Sequence, residues 1–307
     1  MKLYPLTIAA LVTIIGSCST PRQALTLPNN FPSFYKEGHR GTRGLMPENT
    51  IPSMTKAIEN GANVIEVDVY TSKDGKVFIS HDPFANISHT LYNDGREITP
   101  EDARKFIFHQ MNYEDIRQFD VGSKPYSTFP QQQRVKTYMP LLGELIDSVE
   151  AFTKSRNLPG TIYNIELKTS ERFDSLNYNA EPKEMVDKVM EVVKTKNIGN
   201  RFYIQSFDFR PLTYTRKQYP QVTIGFLTSS RTMSLDDNLK KLEFKPDLYS
   251  PEYHLVTKEL VEACKKQGMK LVPWTVNTAA EMKTLIDLGV NGIITDYPNL
   301  FAQFSIN

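Results

Sequence analysis

The chain has 307 residues, enough for one large α/β barrel or two average domains. It carries 36 Lys+Arg against 35 Asp+Glu, a formal net charge of +1, with no basic tract, which argues against a nucleic-acid partner. Hydrophobic content of 40% and charged content of 23% are those of an ordinary globular protein.

The first residues read as a targeting segment. Met1-Lys2 is a short basic start, and Leu6 to Ile15 is an apolar run of about ten residues, too short to span a bilayer. Ile15-Gly16-Ser17-Cys18 closes it with small residues before a cysteine. This resembles a bacterial lipoprotein signal, in which Cys18 becomes the lipidated N-terminus. The competing reading is a secretory signal with an incidental cysteine. Both predict export. Only the first predicts a membrane partner, through a lipid anchor at Cys18 in the bacterial envelope, on the periplasmic side or the cell surface. Residues 1–18 are thus the expected signal, 19–33 a polar tether, and 34–307 one barrel domain. The other cysteine, Cys264, recurs with Val256 and Leu260 at i, i+4, i+8 and is expected to be a buried hydrophobe on a helix.

From Phe34 onward, short apolar runs alternate with longer helical patterns, the signature of a parallel sheet with crossover helices. The expected strands are FYKEGH ending at His39, then 64–70, 77–81, 161–168, 201–207, 222–228, 247–250, 270–276 and 292–296. That makes one more than an eight-stranded barrel needs. Lys73-Asp74-Gly75-Lys76 is too short for a helical crossover, so the strands flanking it should form a hairpin, with one strand antiparallel to the rest. A helix is expected to start at Glu48-Asn49-Thr50, with Asn49 or Thr50 as cap. Met185, Val189 and Val192 stripe a helix over 183–196, and Gly289 stops another over 281–288. Residues 83–140 break the rhythm, with one helix near 100–108, and read as an insertion above the barrel mouth, either a functional lid or a passive excursion.

The chemistry concentrates on two strands. Side chains alternate faces along a strand, so Glu66 and Asp68 of VIEVDVY point the same way, as do Asn164, Glu166 and Lys168 of TIYNIELK. Carboxylates side by side in a barrel repel each other, and a divalent cation relieves that repulsion. Salt bridges filling the barrel without metal are the alternative. With no Cys/His spacing that suits zinc, three hard oxygen donors favour Ca2+ or Mg2+. His39 and His81 close their strands and suit a general base and a general acid. Arg40 offers a planar fork for phosphate, and Lys168 either pairs with Glu166 or reaches a phosphate oxygen. Asp82 is expected to orient its neighbours, and Asp296 either to hold a site group or to shape a turn. His89 is the histidine outside the pair expected nearest the site.

HRGTRGLMPENT, then EVDV, KDG, HDP, IELK and the late tryptophan in LVPWTVN resemble the glycerophosphodiester phosphodiesterase family, from about Gly38 to Pro298. The resemblance implies a TIM-type (β/α)8 barrel. It also implies hydrolysis of small glycerophosphodiesters to sn-glycerol 3-phosphate and an alcohol, with one divalent cation. By similarity His39 and His81 are the catalytic pair, and Glu66, Asp68 and Glu166 the metal ligands. Arg40, Lys168 and Trp274 fall where the family binds substrate. The stretch FANISHTLYNDGRE after His81-Asp82-Pro83 departs from the family's threonine-rich continuation, which bears on the choice of alcohol. Two rival readings are a related barrel phosphodiesterase acting on a phospholipid, phosphoinositide or sugar diester, and a non-catalytic binding lipoprotein.

Overall fold

The computed structural model describes residues 31–306, so the expected signal and most of the expected tether lie outside the described residues. Among the described residues, nine strands form one sheet. They are β1 (Tyr35–Gly38), β2 (Val64–Thr71), β3 (Val77–Ile79), β4 (Ile162–Leu167), β5 (Phe202–Ser206), β6 (Thr223–Thr228), β7 (Leu248–Pro251), β8 (Lys270–Leu271) and β9 (Gly292–Thr295). The order β8-β7-β6-β5-β4-β2-β1-β9 is parallel throughout. Backbone bonds from Asn291 N to Leu271 O (2.8 Å) and from Ile294 N to Pro273 O (2.9 Å) close the circuit into a barrel. β3 pairs antiparallel with β2 and stands off the wall. The surplus strand is therefore an annex, and the eight wall strands all run one way. β8 is shorter than the expected 270–276 because Pro273 has no N–H to give a neighbour.

Alternation along the strands sorts the core. Ile65, Val67 and Val69 of β2, with Ile165 and Leu167 of β4, face the surrounding helices. Each such fully buried side chain contributes roughly 1.5–3 kcal/mol relative to exposure. Tyr35, Val64, Ile162, Tyr203, Leu248 and Ile294 point inward and fill the barrel floor, where Phe31 packs on Tyr35 and Tyr203. The next inward positions are Glu66 and Asp68 on β2, and Asn164 followed by Glu166 on β4.

The helices are α1 (Ile51–Glu59), α2 (Pro100–Ala103), α3 (Tyr113–Ile116), α4 (Leu142–Ser155), α5 (Glu171–Ser175), α6 (Pro182–Lys194), α7 (Phe209–Gln218), α8 (Leu235–Leu242), α9 (Lys258–Gln267) and α10 (Ala279–Leu288). Thr50 caps α1, its side chain accepting from Ser53 N, a contact worth about 1 kcal/mol. α6 buries Met185, Val186, Val189, Met190 and Val193, while Val192 lies at the edge of that face. Cys264 is buried on α9 beside Val261. Val256 precedes the helix, so the expected i, i+4, i+8 stripe is only partly helical.

Residues 83–140 hold α2, a 3-10 turn at Phe108–Gln110, and α3. The expected helix over 100–108 is a single turn, because a turn that short gains little from its own hydrogen bonds. The segment has its own apolar cluster, in which Phe108, Ile116, Phe119 and Met139 gather on Tyr70 of β2 and Phe78 of β3. It is also tied to the loop after β1. Gln133 N donates to Leu45 O and Gln132 Nε2 to Arg43 O, both at 2.8 Å.

Candidate active site

The loop after β1 turns sharply. Gly41 has φ +85°, and a Cβ there would meet Ser53 Oγ at 2.5 Å. A Cβ on Gly38 would lie 2.1 Å from Gly41 O. Two glycines thus let the chain double back at the strand end. Arg40, between them, has φ +49°, a strained value for a non-glycine residue. The bend aims its backbone N–H at Glu66 Oε2 (2.7 Å). Its side chain reaches Glu48 Oε1 (2.8 Å) and Asp68 Oδ2 (3.2 Å). Burial opposes the Arg40 charge, but Glu48, Asp68 and Glu66 together hold it above its ordinary value. Glu48 is buried as well, and Arg40, His89 and Arg43 keep it well below the usual carboxylate range.

β2 and β4 run side by side with Asp68 in register with Glu166. Carboxylate oxygens of Glu66, Asp68 and Glu166 lie within 4.8 Å of one another, and all three residues are buried. Asn49, itself at φ +57°, clamps Asp68 by donating Nδ2 to Oδ2 (2.9 Å) and accepting the Asp68 N–H (3.2 Å). Lys168 Nζ sits 2.8 Å from Glu166 Oε1 and 3.4 Å from Asp68 Oδ1. Burial raises Glu66 well above the ordinary value, and the Asp68 and Glu166 charges add to the rise. Burial also opposes the Asp68 charge, but Lys168 and Arg40 hold it far below normal. The cluster therefore has more negative charge than its own cations balance. Glu66 Oε1 is buried without a hydrogen-bond donor, and Asp68 Oδ1 has only the longer Lys168 ion pair.

These strand ends open on a cavity of about 270 Å³ whose wall includes His39, Arg40, Glu66, His81, Glu166 and Lys168. Arg43, Gln205, Phe207 and Trp274 complete much of the rest. His39 Nδ1 is 2.7 Å from Asp296 Oδ1, and Asn277 Nδ2 donates to the other Asp296 oxygen at 2.7 Å. A carboxylate can only accept, so Nδ1 carries the hydrogen and Nε2 is the basic nitrogen. Burial and the neighbouring Arg40 charge hold His39 below its ordinary 6.5, with Asp296 opposing them. It is neutral at pH 7, as a base must be. His81 Nδ1 is likewise 3.1 Å from Asp82 Oδ1, leaving Nε2 at the cavity. Trp274 donates Nε1 to Ser250 O (2.8 Å) and meets Phe207 edge-to-face at 5.3 Å between ring centroids, an apolar wall opposite the charged one.

All eight residues singled out from the sequence therefore gather at one end of the barrel. Asp296 is a partner of His39, and Glu48 does more than start a helix, since it binds both Arg40 and Arg43 (Nε to Oε2, 2.8 Å). Arg43, Gln205 and Phe207 line the cavity although nothing in the sequence reading marked them.

A glycerophosphoryl diester phosphodiesterase family profile matches residues 39–300. The chain belongs to that family. As a member of the glycerophosphoryl diester phosphodiesterase family it is a phosphoric diester hydrolase. A glycerophosphodiester phosphodiesterase from Caldanaerobacter subterraneus subsp. tengcongensis is 30% identical over 262 residues, covering 85% of this chain and 93% of the relative. Among solved structures, a Silicibacter pomeroyi protein superposes with a TM-score of 0.78 at 28% identity, covering 89% of this chain and 93% of that one. An Oleispira antarctica phosphodiesterase, solved with the product sn-glycerol-3-phosphate, shares the fold with a TM-score of 0.67 at 23% identity, over 87% of this chain and 94% of its own.

Proposed function

We propose that the cavity hydrolyses small glycerophosphodiesters to sn-glycerol 3-phosphate and an alcohol, with Glu66, Asp68 and Glu166 as ligands of one divalent cation and His39 and His81 as base and acid. The observation that carries this is the convergence of three buried carboxylates from two strands beside two imidazoles, with a Glu66 oxygen lacking a donor and an Asp68 oxygen met only by Lys168 at 3.4 Å. Those oxygens fit a hard cation such as Ca2+ or Mg2+. When bound, the cation supplies Lewis-acid polarisation of a phosphoryl oxygen and offsets the repulsion among its ligands.

The chain's own groups do the rest. Arg40, fixed by Glu48, and Lys168, fixed by Glu166, present positive charge to the phosphate. His39 Nε2 takes the proton of the attacking hydroxyl, and Asp296 steadies the imidazolium that results. That hydroxyl is the glycerol oxygen next to the phosphate, which gives a cyclic phosphate that water then opens. His81 Nε2 hands a proton to the departing alcohol. Trp274 and Phe207 pack against the substrate's apolar surface. The Oleispira antarctica phosphodiesterase carries in its structure the product that this reading assigns here.

A coupled glycerol 3-phosphate assay over a panel of diesters, with chelator and then calcium or magnesium restored, tests the reading. No glycerol 3-phosphate from any diester with either cation refutes it. Unchanged turnover of a diester lacking the adjacent hydroxyl removes the cyclic route. We also propose that Cys18 carries a lipid anchor in the bacterial envelope. Cys18→Ser should then release the protein from membranes, and continued membrane retention of that variant would overturn the anchor.

A further inference from the structure

His89 lies in the 83–140 segment, where its backbone N–H donates to Asn86 O at 3.2 Å. The residue is half-exposed, yet both ring nitrogens are shielded from solvent and neither has a hydrogen-bond partner in the protein. The residue's exposure therefore lies outside its ring nitrogens. Imidazoles at surfaces ordinarily bury the apolar body and keep the polar tip wet. Turning both nitrogens inward is costly unless something inside bonds to them.

A cavity of about 20 Å³ adjoins the ring, and Glu48, Ser80, His81, Asp82, Asn86 and Thr90 form its polar side. A space of that size, polar on several sides, accommodates one water. Two carboxylates face it. Glu48 Oε2 is ion-paired with Arg43 Nε at 2.8 Å but out of line for a hydrogen bond, so it can still accept one. Asp82 already accepts from His81 Nδ1 and, at 2.7 Å, from Asn86 Nδ2. The charged groups around His89 are Glu48 and Asp82, with Arg40 and Arg43 beyond them, and the Tyr126 ring lies 5.1 Å away. Burial keeps the imidazole neutral against those two carboxylates, so it has one donor and one acceptor to place.

We propose that His89 is a positioning residue for the hydrolysis: its ring N–H donates to one water in this cavity, and that water donates its two hydrogens to the Glu48 carboxylate, which holds Arg40, and to the Asp82 carboxylate, which holds His81. The role rests on the functional reading above. His89 touches neither substrate nor cation. It fixes the spacing between the phosphate-binding guanidinium and the proton-donating imidazole, and it makes the 83–140 segment a brace of the site.

His89→Phe keeps the ring and removes both nitrogens, whereas His89→Gln keeps a donor and an acceptor. With circular dichroism and melting temperature matching wild type, His89→Phe should lower kcat/KM about tenfold, the size of one lost positioning hydrogen bond, and His89→Gln should recover most of it. A high-resolution crystal structure of the wild type should show a water in the cavity within hydrogen-bond distance of a His89 nitrogen. Wild-type kcat/KM in His89→Phe, equal impairment in both variants, or a dry cavity would overturn the proposal. If His89→Phe does not fold, the crystallographic result decides. A wild-type protein inactive on every diester would refute the functional reading instead, and the water arm would still judge the bridge.

Discussion

Glu37 offers a quantitative test of how the barrel floor is built. It sits on β1 two residues before His39 and is fully buried. One carboxyl oxygen accepts from Asn164 Nδ2 and the other from the Tyr203 hydroxyl (2.7 Å). Burial raises it from 4.5 to about 7, although both hydrogen bonds pull the other way. Between those two pH values the native state keeps a proton that the unfolded chain has released. Stability contributed by this group is thus fully present below about 4.5 and falls as pH rises to about 7. The gap corresponds to about 3 kcal/mol at pH 8. Glu37→Gln has the same shape, stays neutral, accepts from Asn164 and donates to the Tyr203 oxygen. It should match wild type near pH 5 and exceed it by up to about 3 kcal/mol at pH 8, or roughly 6–12 °C in Tm. Urea or thermal unfolding of both proteins from pH 5 to 9, at constant cation concentration, measures the difference. A pH-independent difference, or a variant less stable at pH 8, would refute the reasoning.

Three further outcomes are expected. Asp296→Asn presents an amide to His39 Nδ1 and no longer enforces the tautomer, so kcat should fall about a hundredfold or more with Tm little changed; a change below threefold would show that Asp296 only shapes a turn. Because burial and Arg40 hold His39 down, the acid limb of kcat/KM should have its midpoint below 6.5, with activity lost as pH falls through it. A midpoint above 6.5 in a pH-rate profile would contradict His39 as the base. Glu48→Gln leaves the buried Arg40 charge without its nearest partner and should destabilise the fold by about 3 kcal/mol, read from denaturant midpoints.

Much of the site was legible because the strands declare their faces. In VIEVDVY and TIYNIELK every second residue is apolar, so the carboxylates had to share the opposite face, and parallel pairing of the two strands brought them together. Partnerships across sequence were harder. His39 and Asp296 are 257 residues apart, and only closure of the barrel makes them neighbours, through Gly38 in register with Thr295. That register follows from any closed sheet whose first and last strands pair, and it was the available signal. Glu37 carried no such signal, since an acid in YKEG fits an exposed strand end as well as a barrel floor. Arg43 and Phe207 depend on loop paths that periodicity does not encode. The apolar residues of 270–276 predict a strand longer than the two residues that form it, because they mask the effect of Pro273.

β2 serves two masters along a single face. Glu66 lines the catalytic cavity, Asp68 joins it in the carboxylate cluster, and Tyr70, next on that face, is stacked on Phe78 within the second apolar cluster. A chimera that grafts a relative's excursion onto this scaffold must therefore bring rings that cover Tyr70 and Phe78. Otherwise the strand end carrying Asp68 is left wet on its flank, and any change in alcohol preference gained from the graft is confounded by a loosened ligand.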